Sequence, residues 1–298
     1  MSEMTSPHDD LVGAFQIEGE PVRGRIARLG LAIDTILRAH DYPEPVANLL
    51  GEACALAALV GSNLKFEGRL IVEARGSGPV RYVVADYDTT GGLRGYCRFE
   101  SDEVAAASKG FVRPGARTLL GDGVFMMTVD QGPDMDRYQG MTAIEGETLA
   151  LCAEQYFVQS EQTPTRVRLA VGQVDGVSRA GGVLIQYIAA DETRGSTEDA
   201  WRRTQAFFET IGEDELVDPD LSSNQLLFNL FHEDGVRVFD PRMLAAVCRC
   251  SQERIESVLK SFEAVEREDM VEPDGKIHVT CEFCSRLYAV APEALAGA

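Results

Sequence analysis

Four cysteines in the last fifty-odd residues constrain this chain more than anything else in it. Cys248 and Cys250 form a C-x-C pair, Cys281 and Cys284 form a C-x-x-C pair, and thirty residues lie between the pairs. A segment this short cannot build a sufficient apolar core alone, and units of such size are held by a metal or by disulfides. Two close pairs brought together by a helix and a hairpin supply four thiolates, the ligand type and number that a tetrahedral zinc ion prefers. Full thiolate ligation leaves no open position, which argues against a catalytic zinc with its bound water. The expected cofactor is one zinc ion per chain on Cys248, Cys250, Cys281 and Cys284. Its removal should unfold the segment, since metal binding in small zinc modules is worth an apparent ~10–16 kcal/mol.

A closed four-thiolate site is ordinarily a permanent structural one. Two details point further. C-x-C crowds two thiolates side by side, and Arg249, Arg254 and Arg286 lie close in sequence, where positive charge favours the thiolate. Exposed thiolates of that kind are attacked by peroxide, passing through sulfenic acid to a disulfide. C-x-x-C is also the motif of disulfide-exchange enzymes, in which the first cysteine gains thiolate character at a helix N-terminus. Here the following SRLYAV reads as extended and no βαβ pattern surrounds it. His278 is the one rival ligand, while His8, His40 and His232 fall into no ligating or catalytic spacing. Cys54, Cys97 and Cys152 lie in apolar settings without partners at ligand spacing and are expected in the core.

The chain has 298 residues, more than one domain usually needs, and a net charge of -20. Such a charge repels nucleic acid and anionic membrane surfaces, so neither is an expected partner. Seven cysteines, an odd number, suit reduced thiols in the cytosol better than a secreted disulfide framework. Residues 1–10 lack the basic start and apolar run of a secretory signal, and no apolar stretch reaches the ~18 residues of a membrane span. The expected location is cytoplasmic. G-x-S-x-G, Walker and dinucleotide-binding glycine motifs are absent, and the chain is not expected to be an enzyme.

The expected fold class is α+β, in three regions. Residues 1–190 read as a mixed α/β-sheet core. Residues 42–65 are Ala- and Leu-rich on nearly every face, a buried helix with Pro45 at its start. RLIVEAR and VRYVVAD flank Gly76-Ser77-Gly78-Pro79 as a hairpin, with a third strand after Gly95. TLL and VFMMTV around Gly121-Asp122-Gly123 read as another strand pair. GETLALCAEQYFVQSEQ is a helix, and TRVRLAVGQ and GGVLIQYIA are two closing strands.

Residues 191–245 read as a metastable helical linker, with thirteen acids against five arginines, a charge of -8. They also hold Trp201, Phe207, Phe208, Leu226, Leu227 and Phe231, too many large apolar groups for a solvated linker, so the segment should fold against something else. EDAWRRTQAFFETI and SNQLLFNLFHEDG are its helices, the second entered through Ser222 or Ser223. Crowded like charges predict marginal local stability. Residues 246–298 form the small zinc-binding unit. A helix starting at Asp240-Pro241 is expected to run through MLAAVCR, followed by SQERIESVLKSF with Ile255, Val258, Leu259 and Phe262 on one face, and a turn at residues 272–275.

CRCSQERI and CEFCSRLY at this spacing, with GEACALAALVGSNLKFEGRL, YQGMTAIEGETLALCAEQYFVQSEQTPTRV, AGGVLIQ and LLFNLFHED, cover nearly the whole chain. Together they resemble the redox-regulated heat-shock chaperone family, the 33 kDa chaperonins. The resemblance implies an ATP-independent holdase that binds unfolding proteins under oxidative stress, silent when reduced and zinc-loaded. It implies disulfides Cys248–Cys250 and Cys281–Cys284 on oxidation, zinc release, unfolding of the C-terminal unit and linker, and a homodimer on activation. Two other functions fit the cysteines: thiol-disulfide exchange through Cys281 and Cys284, and a constitutive zinc adaptor for one folded partner.

Overall fold

A computed structural model of the chain describes residues 6–132, 135–188 and 197–295. The junction expected at residue 190 lies outside them. The chain divides into two compact units, Met1–Ala246 and Val247–Ala298.

The first unit opens with a hairpin, β1 (Leu11–Ile17) and β2 (Val22–Leu29), then α1 (Leu31–Leu37) and α2 (Glu44–Gly61). A meander of β3 (Arg69–Gly76), β4 (Val80–Asp88) and β5 (Gly92–Phe99) leads to α3 (Ser101–Ala107) and α4 (Ala116–Leu120). After β6 (Gly123–Asp130) and β7 (Tyr138–Ala143) come α5 (Leu149–Ser160), β8 (Thr165–Val174) and β9 (Val177–Tyr187). The acidic segment supplies α6 (Thr197–Glu209), α7 (Glu213–Val217), α8 (Ser223–Phe231), β10 (Val236–Val238), β11 (Arg242–Met243) and β12 (Ala245–Ala246). One sheet runs β10-β1-β2-β9-β8, with β11 also on β1, and the other runs β12-β5-β4-β3-β6-β7.

Helix α2 packs on strands of both sheets. Its Ala- and Leu-rich sequence leaves no polar face to solvate, so Leu50, Cys54, Leu56 and Leu59 are all fully buried. Close approach needs small residues: a Cβ at Gly61 would stand 2.3 Å from the Tyr87 ring, and one at Gly51 2.7 Å from Val171. At 18 residues α2 has the length and apolarity of a membrane span, which corrects the expectation that no stretch reaches it. Some 67% of that window is buried inside the unit, so this is a core helix.

Side chains alternate across a strand, and the first sheet uses both faces. Val12, Ala27, Leu29 and Leu184 point to the α2 cluster, whereas Phe15, Ile17, Val22, Ile26, Val183 and Ile185 point the other way. The acidic segment covers this second face with Phe208, Ile211, Leu216, Leu226, Leu227 and Phe231. Its α8 starts where Ser222 accepts a hydrogen bond from the Gln225 N–H at 3.2 Å. Like-charge repulsion in the segment is partly offset by arginines that face the acids: Arg113 pairs with Glu213 at 2.8 Å, and Arg166 with Glu209 at 3.3 Å. Arg28 of β2, only 1% exposed, donates to the Glu215 carbonyl at 3.1 Å and to the Asp218 carbonyl. These carbonyls lie at the C-terminal end of α7, where a cation is favourable.

Two segments differ from expectation. Residues 118–120 form the end of α4 instead of a strand. The Gly78 N–H donates to the Leu120 carbonyl at 2.7 Å and the Ser77 N–H to the Asp122 carbonyl at 2.9 Å, so the glycine turn joins the β3–β4 corner instead of closing a hairpin. The helix expected from residue 241 is replaced by β11 and β12, because the open edges of β1 and β5 take up its backbone groups. The third strand begins at Gly92, ahead of Gly95.

The second unit holds α9 (Gln252–Lys260), α10 (Ala264–Asp269), the hairpin of β13 (Ile277–Thr280) and β14 (Leu287–Val290), and a closing turn at Pro292–Leu295. Its core is Leu259, Ile277, Val290 and Leu295, with Ile255 packed beside it. Val258 and Phe262, expected on the same buried face, are 55% and 39% exposed, since one two-stranded hairpin offers too little surface to cover the whole stripe.

Candidate metal centre

Each cysteine pair is positioned by local backbone chemistry. Cys248 and Cys250 sit in irregular chain just before α9, where Ser251 caps the helix by accepting from the Arg254 N–H at 3.2 Å. Cys281 and Cys284 sit in the loop of the β13–β14 hairpin. The Cys281 N–H donates to the Arg286 carbonyl at 2.9 Å and the Ser285 N–H to the Cys281 carbonyl at 2.8 Å, while Ser285 takes φ 55°, so the chain doubles back within five residues. Cys281–Cys284 therefore lacks the helix N-terminus that activates a disulfide-exchange cysteine.

The two pairs converge. Cys248 and Cys281 sulfurs stand 3.7 Å apart, Cys250 and Cys284 sulfurs 3.4 Å apart, and all four lie within 4.8 Å of one another. A zinc tetrahedron with ~2.3 Å bonds has sulfur–sulfur edges of about 3.8 Å, so the ligand number, ligand type and spacing fit a zinc site. His278 stands apart from the cluster: its Nε2 pairs with Asp274 Oδ2 at 2.9 Å, and this contact pulls the Asp274 carboxyl below its usual range.

Electrostatics within the cluster are uneven. Burial pushes the Cys248 thiol up and the Cys284 thiol up to about 12. Burial also raises Cys250, but interaction with Tyr288 and the neighbouring thiols outweighs it and holds Cys250 down at about 7. Ionising one thiol raises the cost of ionising its neighbours. Further ionisation at this spacing needs a cation to offset the repulsion. Arg286 is placed to act on Cys250 and Cys284 and also meets Tyr288. Tyr288 escaped the sequence reading; its only signal was the inward phase of the alternation in LYAV, where Tyr288 and Val290 are buried and Leu287 is exposed.

The remaining cysteines behave as core residues. Cys54, Cys97 and Cys152 are buried, and burial raises all three thiols well away from the reactive range.

The profile described as Hsp33 protein matches residues 10–291. The 33 kDa chaperonin of Caulobacter vibrioides is 72% identical over 288 residues, 95% of each chain. That of Shigella flexneri is 34% identical over 282 residues, 95% of this chain and 93% of the other. The crystal structure of the 33 kDa chaperonin from Thermotoga maritima superposes with a TM-score of 0.79 over 96% of each chain, at 23% identity, and so shares the fold. The chain belongs to the Hsp33 family.

Proposed function

We propose that the protein is a redox-regulated holdase that prevents aggregation of unfolding proteins without ATP and without enzymatic turnover, in the cytoplasm. One observation carries the reading: four sulfurs within 4.8 Å are held by a unit whose own core is four side chains. Zinc, when bound, keeps Cys248, Cys250, Cys281 and Cys284 as thiolates and joins the unit's two halves. The partly exposed sulfurs of the cluster are the natural targets of an oxidant. Turning four thiolates into two disulfides removes the ligand set, so the ion leaves and the small unit loses most of its stabilisation.

The sulfur positions put all three pairings within reach, one within the motifs and two across them. We favour Cys248–Cys250 and Cys281–Cys284, because once the unit opens, a tenfold longer loop costs about 2 kcal/mol more to close. Residues 236–246 precede Cys248 directly in the chain and hold the edges of both sheets of the first unit. In the proposed switch, residues 246–298 are the zinc-binding unit and residues 191–245 the metastable linker, which unfolds with it. Loss of the linker would uncover Phe15, Ile17, Val22, Ile26, Val183 and Ile185, a contiguous apolar sheet face suited to unfolded clients and to pairing of two activated copies. The partners proposed are client proteins and a second copy of the chain, not nucleic acid or membrane.

The test measures zinc content and suppression of client aggregation on one sample, before and after peroxide at elevated temperature. Zinc release together with gained suppression is the expected result. Retained zinc with no gain would sink the switch and leave a structural zinc module.

A further inference from the structure

The residues just ahead of β1 reach the acidic segment at two places far apart in its sequence. Ser6 Oγ accepts from the His8 N–H at 3.3 Å, and its own proton goes to the Pro219 carbonyl at 2.8 Å, just past α7. The Asp10 carbonyl accepts the Leu244 N–H at 2.7 Å, between β11 and β12 and shortly before Cys248. Between these two bonds the arm is anchored to the first unit by its carboxylates. Asp9 pairs with Arg179 of β9, and both residues are buried. Asp10 Oδ1 accepts from the N–H groups of Gly30 and Ala32 at 2.9 and 3.1 Å, which satisfies donors at the start of α1. Room for the anchor is built into the fold. A Cβ on Gly30 would stand 2.6 Å from Asp9 Oδ2, and Asp10 takes φ 53°, a left-handed conformation that aspartate tolerates. Arg28 of β2 adds its bonds to the Glu215 and Asp218 carbonyls, so residues 215–219 are held by strand and arm together.

We propose that residues 6–10 are a strap that fastens the acidic segment to the first unit, an autoinhibitory contact that must open separately from any change at the cysteines. Asp9 is its positioning residue, and the inference rests on the reading of the segment as a cover. Opening residues 246–298 frees only the far end of the segment, while the bonds at Pro219 and Leu244 still tie it down. The buried Arg179 makes the anchor selective. Without the Asp9 carboxylate its charge is left unpaired beneath the arm, and lifting the arm lets water reach it. The penalty therefore falls on the fastened position of arm and segment, and the core around α2 is spared.

The experiment follows hydrogen exchange in the reduced, zinc-loaded full chain of wild type, Asp9→Asn and Ser6→Ala, and assays each for aggregation suppression without oxidant. Asp9→Asn should exchange roughly a hundredfold faster across residues 213–231 and at Leu244, as expected for a buried ion pair that loses one partner. Exchange in α2 and β3–β6 and the zinc content should be unchanged, and suppression should appear before any peroxide is added. Ser6→Ala removes a single neutral bond and should speed exchange across residues 215–221 roughly fivefold. Equal acceleration throughout the first unit would make Asp9–Arg179 an ordinary core pair, and unaltered exchange in the segment would show that it is held without the arm; either result overturns the strap. Selective acceleration with no gained suppression keeps the strap and overturns the cover reading instead. If Asp9→Asn fails to fold, Ser6→Ala decides: acceleration confined to residues 215–221 supports the strap, and wild-type exchange there removes it.

Discussion

Cys54 and Cys97 of the first unit are 0% and 1% exposed beneath α2 and β5, whereas Cys248, Cys250, Cys281 and Cys284 of the second are partly open at a helix start and a hairpin loop. The same side chain serves as a small hydrophobe in one unit and, in the function proposed above, as a metal ligand in the other. What differs is the amount of apolar surface available. The first unit surrounds its thiols with the two-sheet core around α2, while the second has Leu259, Ile277, Val290 and Leu295. Where packing suffices, sulfur is silenced by burial; where it does not, the proposed function has sulfur chemistry supply the stability and withdraw it.

The comparison breaks most sharply on metal removal. Chelation should unfold residues 247–298, a loss on the order of 10 kcal/mol from that unit, and leave strands β1–β9 of the first unit protected against hydrogen exchange. Equal loss of protection in both units would show that they are not independent in stability. A smaller effect is read by alkylation of the chelated chain without denaturant. Cys248, Cys250, Cys281 and Cys284 should react at least roughly a thousandfold faster than Cys54, Cys97 and Cys152, whose exposure needs the first unit to open. Matching rates would remove the distinction between the two classes.

Between these extremes lies the acidic segment, which shares the first unit's core and is tied to it by Arg28, Arg113 and Arg166. Arg28→Ala strips the Glu215 and Asp218 carbonyls of a buried donor and should cost about 3 kcal/mol. Hydrogen-exchange protection should fall in residues 213–231 while metal content is unchanged. Unaltered protection there would mean that apolar packing alone holds the segment.

The smallest effect concerns Glu52, which with Arg113 and Glu213 lines a cavity of about 420 Å³ beside α7. Burial raises its carboxyl to about 7, partly offset by Arg113. The folded state therefore binds this proton more tightly than the unfolded one, whose carboxyl titrates near 4.5. Stability from this group is fully present below about 4.5 and declines as pH rises through about 7. Discounted for its partial exposure, the loss is about 1–2 kcal/mol at pH 8. Glu52→Gln should flatten the slope of unfolding midpoints between those limits, and an unchanged slope would assign it to other groups.

Much of this architecture is written locally. The four ligands are legible because zinc needs sulfur at close spacing, and CRC and CEFC state that spacing outright. Helix α2, the β3–β4 hairpin and the Ser222 cap are equally local, set by periodicity, turn chemistry and one side-chain oxygen. The acidic segment gave a partial signal: its aromatic residues declared that it must pack, but not against which face.

The sequence by itself determined the ligand chemistry, the local elements and the presence of a small unit too poor in apolar residues to stand alone. Only the tertiary structure decided that residues 242–246 become edge strands, that Arg28 reaches the end of α7, and that the Tyr288 hydroxyl is buried. Those choices depend on partners far apart in the chain, Arg28 with Asp218 or Leu11 with Met243, and no local propensity encodes such a contact.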